Sequence, residues 1–257
     1  MVKIRLPAVA GSFYPEDREE LAHVIKGFLD DAKNFKLTPK CIIVPHAGYS
    51  YSGVVAAVGF KQLKNLEKKN WKVLLLGPSH YYPFYGLCYA NFDYWQTPLG
   101  KIKAEKLNLK ESELLFEFTE AHEPEHCLEV QLPFLQSVLD HFSIIPLLVG
   151  EVEPEKAANE LSKIIDENSI LVISSDLSHY HSYEQAIKID SIANSAIPKL
   201  DLEAAQKIEA CGKIPILIAM YLAKKLGWMG HLLDYKNSGD TSGLKARVVG
   251  YGTYAFT

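Results

Sequence analysis

Four short apolar runs punctuate the chain, at 41–45, 72–76, 144–149 and 170–174. Each is strand-length and ends at a turn residue or a small polar one, the pattern of a buried strand. The stretches between them follow a different rhythm. Residues 16–32 space Leu21, Val24, Ile25, Phe28 and Leu29 three and four apart, which predicts a helix with its charges on the opposite side. Helices are also predicted at 53–66, 154–165, 183–197 and 214–226, with a short one before Cys211. The first of these ends in basic residues, which suits the helix dipole. Pro215 falls in the first turn of the last, where proline is acceptable. Strands alternating with helices predict an α/β chain. A further apolar-periodic stretch at 128–142 is interrupted by Pro133. Residues 81–105 are dense in aromatics and read as irregular strands and loops, a flap over the His80 end of the sheet. Residues 1–15 read as an ordered arm ending in Gly11-Ser12-Phe13-Tyr14-Pro15, and the alternation Ala246-Arg247-Val248-Val249-Gly250-Tyr251 reads as part of a closing antiparallel pair. No repeat or linker divides the chain, so one domain over 1–257 is expected.

Composition narrows the function classes. At 257 residues, 48% hydrophobic and 23% charged, the chain is an ordinary globular one. A net charge of −4 gives no general affinity for nucleic acid or an anionic membrane surface. No apolar run reaches the roughly 20 residues a membrane helix needs, and Met1-Val2-Lys3-Ile4-Arg5 is followed by no signal-peptide segment. Cys41, Cys88, Cys127 and Cys211 are widely spaced with no C-x-x-C pair, so a reducing cytoplasm is the expected setting.

The candidate chemistry lies at strand ends. In an open α/β sheet, ligands sit in the loops beyond the carboxyl ends of the strands. Val44-Pro45-His46-Ala47-Gly48-Tyr49 and Gly77-Pro78-Ser79-His80 each break an apolar run with a proline and set a histidine just beyond it. That matched pair predicts a shared pocket. Ser174-Ser175-Asp176-Leu177-Ser178-His179 adds a third strand-end histidine, with a carboxylate able to hold its tautomer and raise its basicity. One such histidine is ordinarily part of a capped loop; three from three strand ends indicate a site.

His122-Glu123-Pro124-Glu125-His126 spells the zincin pattern, but a helix interior tolerates Pro124 only at a cost of about 3 kcal/mol or more. His126 and Glu129 are expected to share a helical face and reach the pocket, whereas His122 reads equally well as part of a solvated acidic loop. Gly250-Tyr251-Gly252-Thr253-Tyr254-Ala255 matches a dinucleotide fingerprint by letters only, because no helix-length segment follows it in the sequence, and there is no G-x-x-x-x-G-K-[ST] loop. No nucleotide is expected. Ser79 sits in half of a nucleophile elbow, with Tyr81 in place of the second glycine, which supports a serine hydrolase only weakly. Cys211 precedes a helix whose N-terminus would lower its pKa, against the reading of a small buried apolar residue. Neutral imidazoles beside a thiolate or carboxylate suit iron, copper or zinc.

Taken in order, Gly11-Ser12-Phe13-Tyr14, Pro45-His46-Ala47-Gly48-Tyr49, Gly77-Pro78-Ser79-His80, Glu125-His126-x-x-Glu129-x-x-Leu132-Pro133, Ser174-Ser175-Asp176-x-x-His179, Cys211-Gly212-x-x-Pro215 and Asn237-Ser238-Gly239-Asp240 resemble the Memo family (mediator of ErbB2-driven cell motility) over essentially the whole length. Its prokaryotic members are called AmmeMemoRadiSam system protein B. The resemblance implies a three-layer α/β fold with a mixed central sheet, similar to class III extradiol dioxygenases. Those enzymes hold non-haem Fe(II) on two histidines and a carboxylate. By resemblance, His46 and His80 match the two histidine ligands, Cys211 stands in place of the carboxylate, and His179 matches the acid/base histidine with Asp176 beside it. A thiolate favours softer ions such as Cu(I) or Zn and changes the redox behaviour of iron; the resemblance implies iron(II) or copper(I), with zinc behind them.

In animal members the same pocket looks able to bind phosphotyrosine peptides. Phe13 and Tyr51 match the aromatic residues used there and join Ser79, His126 and Glu129 as expected pocket lining. The implied function is a metal-binding pocket protein with redox or oxidative chemistry, its status as an enzyme left open. The alternative is a non-catalytic module for a phosphopeptide or another anionic or aromatic ligand. Family context implies a radical-SAM partner protein.

Overall fold

The computed structural model describes residues 2–106 and 112–257; Met1 of the predicted arm lies outside them. In chain order, the first half supplies β1 (Ile4–Arg5), α1 (Arg18–Asp31), β2 (Cys41–Val44), α2 (Tyr49–Leu63), β3 (Trp71–Pro78), β4 (Leu87–Tyr89), β5 (Tyr94–Thr97), β6 (Gly100–Ala104), β7 (Leu115–Glu117) and α3 (Thr119–His122). The second half supplies α4 (Leu132–Val138), β8 (Phe142–Val149), α5 (Pro154–Leu161), β9 (Ser169–Ser174), β10 (His179–His181), α6 (Tyr183–Lys199), α7 (Leu202–Ala205), α8 (Lys213–Leu226), β11 (Gly230–Asn237), α9 (Ser238–Thr241) and β12 (Val248–Phe256).

The strands form one mixed sheet in the order β1-β5-β6-β8-β3-β9-β2-β12-β10, with β11 paired to β12 and β4 bridging β7 and β8. Its centre is parallel: β3 lies between β8 and β9, and β2 runs beside β9. Side chains on these strands alternate between two cores. Ile42, Val44, Val73, Leu75, Ile170 and Val172 pack under α1, α2 and α4. Cys41, Ile43, Leu74, Leu76, Leu171 and Ile173 face α5, α6, α7 and α8 on the other side. A parallel strand covered on both faces has no polar side, which is why these runs are continuously apolar in the sequence. The three-layer mixed α/β fold follows.

Three expectations need correction. Residues 81–105 are more than a flap: β5 and β6 pair antiparallel, β6 joins β8, and β1 docks on β5, so this stretch extends the sheet edge. Pro133 does not interrupt a helix but opens one, sitting in the first turn of α4, where no intrahelical N–H bond is lost. The helix expected from residue 53 begins at Tyr49, directly behind the His46 turn. The closing pair is as expected: β11 and β12 run antiparallel from Gly230↔Phe256 to Asn237↔Gly250.

Candidate metal centre

His46 follows β2, His80 follows β3, and Cys211 stands just ahead of α8. Their donor atoms lie within 4.8 Å of one another. Cys211 Sγ is 3.2 Å from His46 Nε2, and the rings of His46 and His80 meet edge to face with centroids 5.2 Å apart. Among the described residues, this group could hold a metal ion.

The fold explains the convergence. Parallel pairing of β2 with β9 sets Val44 opposite Ser174, so the Ser174 hydroxyl stands beside the His46 turn. A Cβ on Gly212 would lie 2.6 Å from the Ser175 side chain; only glycine lets the start of α8 approach the end of β9 this closely and carry Cys211 with it. Gly77 does the same for the opposite wall. A Cβ there would sit 2.6 Å from Cys127 Sγ, so glycine admits the loop that carries Glu125.

The polar neighbours fix which nitrogen each imidazole presents. Ser174 Oγ donates its single proton to the Cys127 carbonyl at 2.6 Å and accepts from Gln131 Nε2 at 2.8 Å. Its contact with His46 Nδ1 at 2.9 Å is therefore donated by the imidazole, leaving Nε2 as a lone pair facing Cys211. On the other side Glu125 is fully buried, and its Oε1 lies 2.9 Å from His80 Nδ1. The same carboxylate accepts from the backbone N–H groups of His80, His126 and Cys127 at 2.8, 2.9 and 3.0 Å. Burial works to raise the Glu125 pKa, but the hydrogen bonds and charge of His80 more than offset it, and the carboxyl is held down at about 2. An ionised Glu125 accepts the Nδ1–H of His80 and so holds the ring by that nitrogen. Histidine ligands are typically oriented this way by an acceptor on the second nitrogen.

Electrostatics at the donors agrees with that chemistry. Burial, then the neighbouring His80, pushes His46 down to about 3, so its imidazole is neutral. Burial and the charge of Asp176 push Cys211 up to about 12. Of the two readings of Cys211, an acidified thiol and a small buried residue, burial and the neighbouring Asp176 favour the second for the thiol as it stands. A cation is what would turn this thiol into a thiolate. Glu125 and Cys127 also approach His80, but the Glu125 oxygens are occupied as described and the Cys127 thiol donates to the Pro78 carbonyl at 3.2 Å.

The remaining expected residues divide. His126 stacks on His80 at 4.7 Å and meets Phe13 at a tilt at 4.8 Å, walling the donor group with aromatic rings. Burial lowers its pKa to about 4. Tyr51, on the first turn of α2, is exposed and flanks Gly48 next to the Phe13 backbone. Glu129 does not join His126. The intervening turn sends it the other way, where it is fully buried against Arg5 and the arm, and no shared helical face exists. Asp176 does not hydrogen-bond the His179 ring; its Oδ1 accepts the His46 N–H at 2.7 Å and so fixes the turn that aims His46. His179 opens β10 and donates its backbone N–H to Glu209 at 3.2 Å. Ser79 Oγ donates to the Tyr82 carbonyl at 2.7 Å, spending its proton on the turn rather than on His80. His122 is no solvated loop residue: it is fully buried, with Nε2 3.0 Å from the Cys88 carbonyl and its ring edge-on to Trp95.

The family model described as Memo-like protein matches residues 5–255. The chain belongs to the Memo family. It is 40% identical over 266 residues to a MEMO1 family protein of Aquifex aeolicus, covering 97% of this chain and 98% of that one. It is 37% identical over 277 residues to one from Saccharolobus solfataricus, covering 96% and 97%. A relative from Sulfolobus acidocaldarius is 36% identical over 282 residues, covering 98% and 99%.

Three residues of this Memo-family centre escape sequence reasoning: Glu125, Ser174 and Gln131. The available signal was local. Ser174 is a polar residue ending a fully buried strand, and Glu125 sits beside a histidine already noticed.

Proposed function

We propose that this chain binds a redox-active transition metal, Fe(II) or Cu(I), on His46 Nε2, His80 Nε2 and Cys211 Sγ, and that the bound centre serves oxidative chemistry on a small molecule. One observation carries the reading. Two imidazoles have their Nδ1 atoms tied back, by Ser174 and by Glu125, and a donor atom from each ring and a thiol converge within 4.8 Å. A merely structural histidine has no need of that arrangement.

Bound there, such an ion would supply one-electron chemistry tuned by a sulfur ligand. The protein's own residues do the rest. Asp176 holds the His46 backbone in place through its N–H. His126 and Phe13 exclude water from one side of the donors. In this reading His179, which opens β10 three residues after Asp176, would move a proton to or from a bound molecule.

The test is anaerobic reconstitution with Fe(II) and, separately, Cu(I), followed by gel filtration and metal analysis. Wild type retains a full equivalent of one ion, while His46→Ala and Cys211→Ala retain little. Nitrogen-15 shifts of the apoprotein then report His46 as the Nδ1–H tautomer. Equal, low metal in wild type and both variants sinks the proposal.

A further inference from the structure

Glu209 stands between α7 and α8, two residues ahead of Cys211, and its carboxylate reaches back to β10. Oε1 accepts the His179 backbone N–H at 3.2 Å, and Oε1 and Oε2 lie 2.9 and 3.1 Å from His181 Nε2. One side chain on the loop of Cys211 therefore grips both ends of the strand that carries His179.

Stability does not account for that grip. The His181 and Glu209 side chains are 34% and 46% exposed, and an ion pair so open to water contributes little to folding. What the grip fixes is position. The pairing of β10 with β12 slips between His179↔Val249 and His181↔Val248, leaving Tyr180 as an extra residue. Tyr180 takes φ +64°, a left-handed conformation that a bulky residue keeps only when its surroundings hold it there. Its ring is exposed, 5.0 Å from the Arg247 guanidinium, so no buried core secures it. The residues on either side of this strained one are those that Glu209 binds. The His179 ring meets the Tyr180 ring edge-on, with centroids 5.7 Å apart, and makes no hydrogen bond among the described residues. The backbone beneath that ring thus sets where it lies, and Glu209 holds the backbone N–H.

The same loop is fastened at Cys211 as well. Cys211 donates its N–H to the Asp176 carbonyl, and the Asp176 N–H donates to Cys211 Sγ, both at 3.3 Å. Residues 176–181 and 209–211 move as one piece only while both ties hold. We propose that Glu209 is a positioning residue that couples His179 to Cys211, so that filling the metal centre and fixing His179 are linked. The coupling rests on the metal reading above; the latch between Glu209 and β10 does not.

Amide hydrogen exchange of the full chain, followed by NMR with and without Zn(II), tests both. In the metal-free protein, exchange at the His179 N–H is expected to quicken about tenfold in Glu209→Ala, and less in Glu209→Gln, which keeps an oxygen acceptor. Zn(II) slows that exchange about fivefold or more in the wild type and leaves it unchanged in Glu209→Ala. Coupling is reciprocal, so Zn(II) affinity, measured by chelator competition, falls by the same factor in Glu209→Ala and recovers in Glu209→Gln. His181→Ala frees the carboxylate on its other side, gives a smaller change in the same direction, and stands in should Glu209→Ala fold poorly. Exchange at His179 that is equal in wild type and both alanine variants overturns the latch. Faster exchange with undiminished Zn(II) affinity overturns the coupling. If the wild type takes up no Zn(II), Fe(II) or Cu(I), the metal reading fails by itself, and exchange in the metal-free chains still decides the latch.

Discussion

Arg5 and Glu129, 124 positions apart in sequence, form an ion pair at 2.6 Å with side chains only 2% and 0% exposed. The pair is a clamp more than a contact. The same guanidinium donates to the carbonyls of His122 at 2.7 Å and Glu125 at 2.6 Å, and lies 4.3 Å from the Trp95 ring centre. The carboxylate accepts from the Ala8 and Val9 N–H groups and from the Tyr14 hydroxyl. The arm is thereby fastened to the loop that carries Glu125 and His126.

Removing one partner leaves the other charged and buried. Arg5→Ala is expected to cost about 3–5 kcal/mol of stability, read as a lower urea midpoint. The double variant Arg5→Met with Glu129→Leu should recover much of that loss, because no lone charge is left. A double variant no better than the single one would show that the clamp acts through shape rather than charge.

Glu125→Gln tests the support behind His80. A glutamine can keep some of the backbone N–H partners but opposes others with its own amide hydrogens. Metal affinity is expected to drop by about 10- to 100-fold, measured by competition with a chelator, while near-ultraviolet circular dichroism stays that of the wild type. Unchanged affinity would remove Glu125 from the centre.

Gly212→Ala places a methyl 2.6 Å from Ser175 and 3.0 Å from the Ser174 carbonyl. The backbone of the Ser174 end cannot yield, so α8 must back away and take Cys211 with it. Loss of the sulfur-to-metal charge-transfer band is expected in the Co(II) form, with the helical content retained. Gly227→Ala makes the matched control for a glycine with nothing within 4 Å, although its φ of +73° adds a small strain of its own.

Acid should loosen the apoprotein through its buried histidines. Burial lowers His122 from 6.5 to about 4, with His46 and His126 shifted the same way. Between those two pH values the unfolded chain binds more protons than the folded one. Stability therefore rises with pH through that window, is fully present above 6.5, and is lost as pH falls towards 4. The His122 share is on the order of 3 kcal/mol. Urea midpoints from pH 4 to 7 should show that slope, and His122→Gln should flatten it. A variant with the wild-type slope would place the acid sensitivity elsewhere.

By itself, the sequence determined the central parallel strands, their two-sided burial and the strand ends at which the candidate site lies. Continuous runs such as Val73-Leu74-Leu75-Leu76 are apolar because both faces are covered, and Pro45 and Pro78 mark where each run stops ahead of a histidine. These are local facts, set by side-chain periodicity and backbone chemistry. It also carried the family, because the blocks that define it are short and contiguous. Only the tertiary structure decided how the centre is held. Glu125 reaches His80 from 45 positions away, and Ser174 reaches His46 from 128, through a strand register no local pattern records. The structure alone separated Glu129 from His126, buried His122, and raised the Cys211 thiol against the pull of its helix. Each of these depends on which groups a side chain meets after folding, because desolvation and hydrogen bonding act through space and not along the chain.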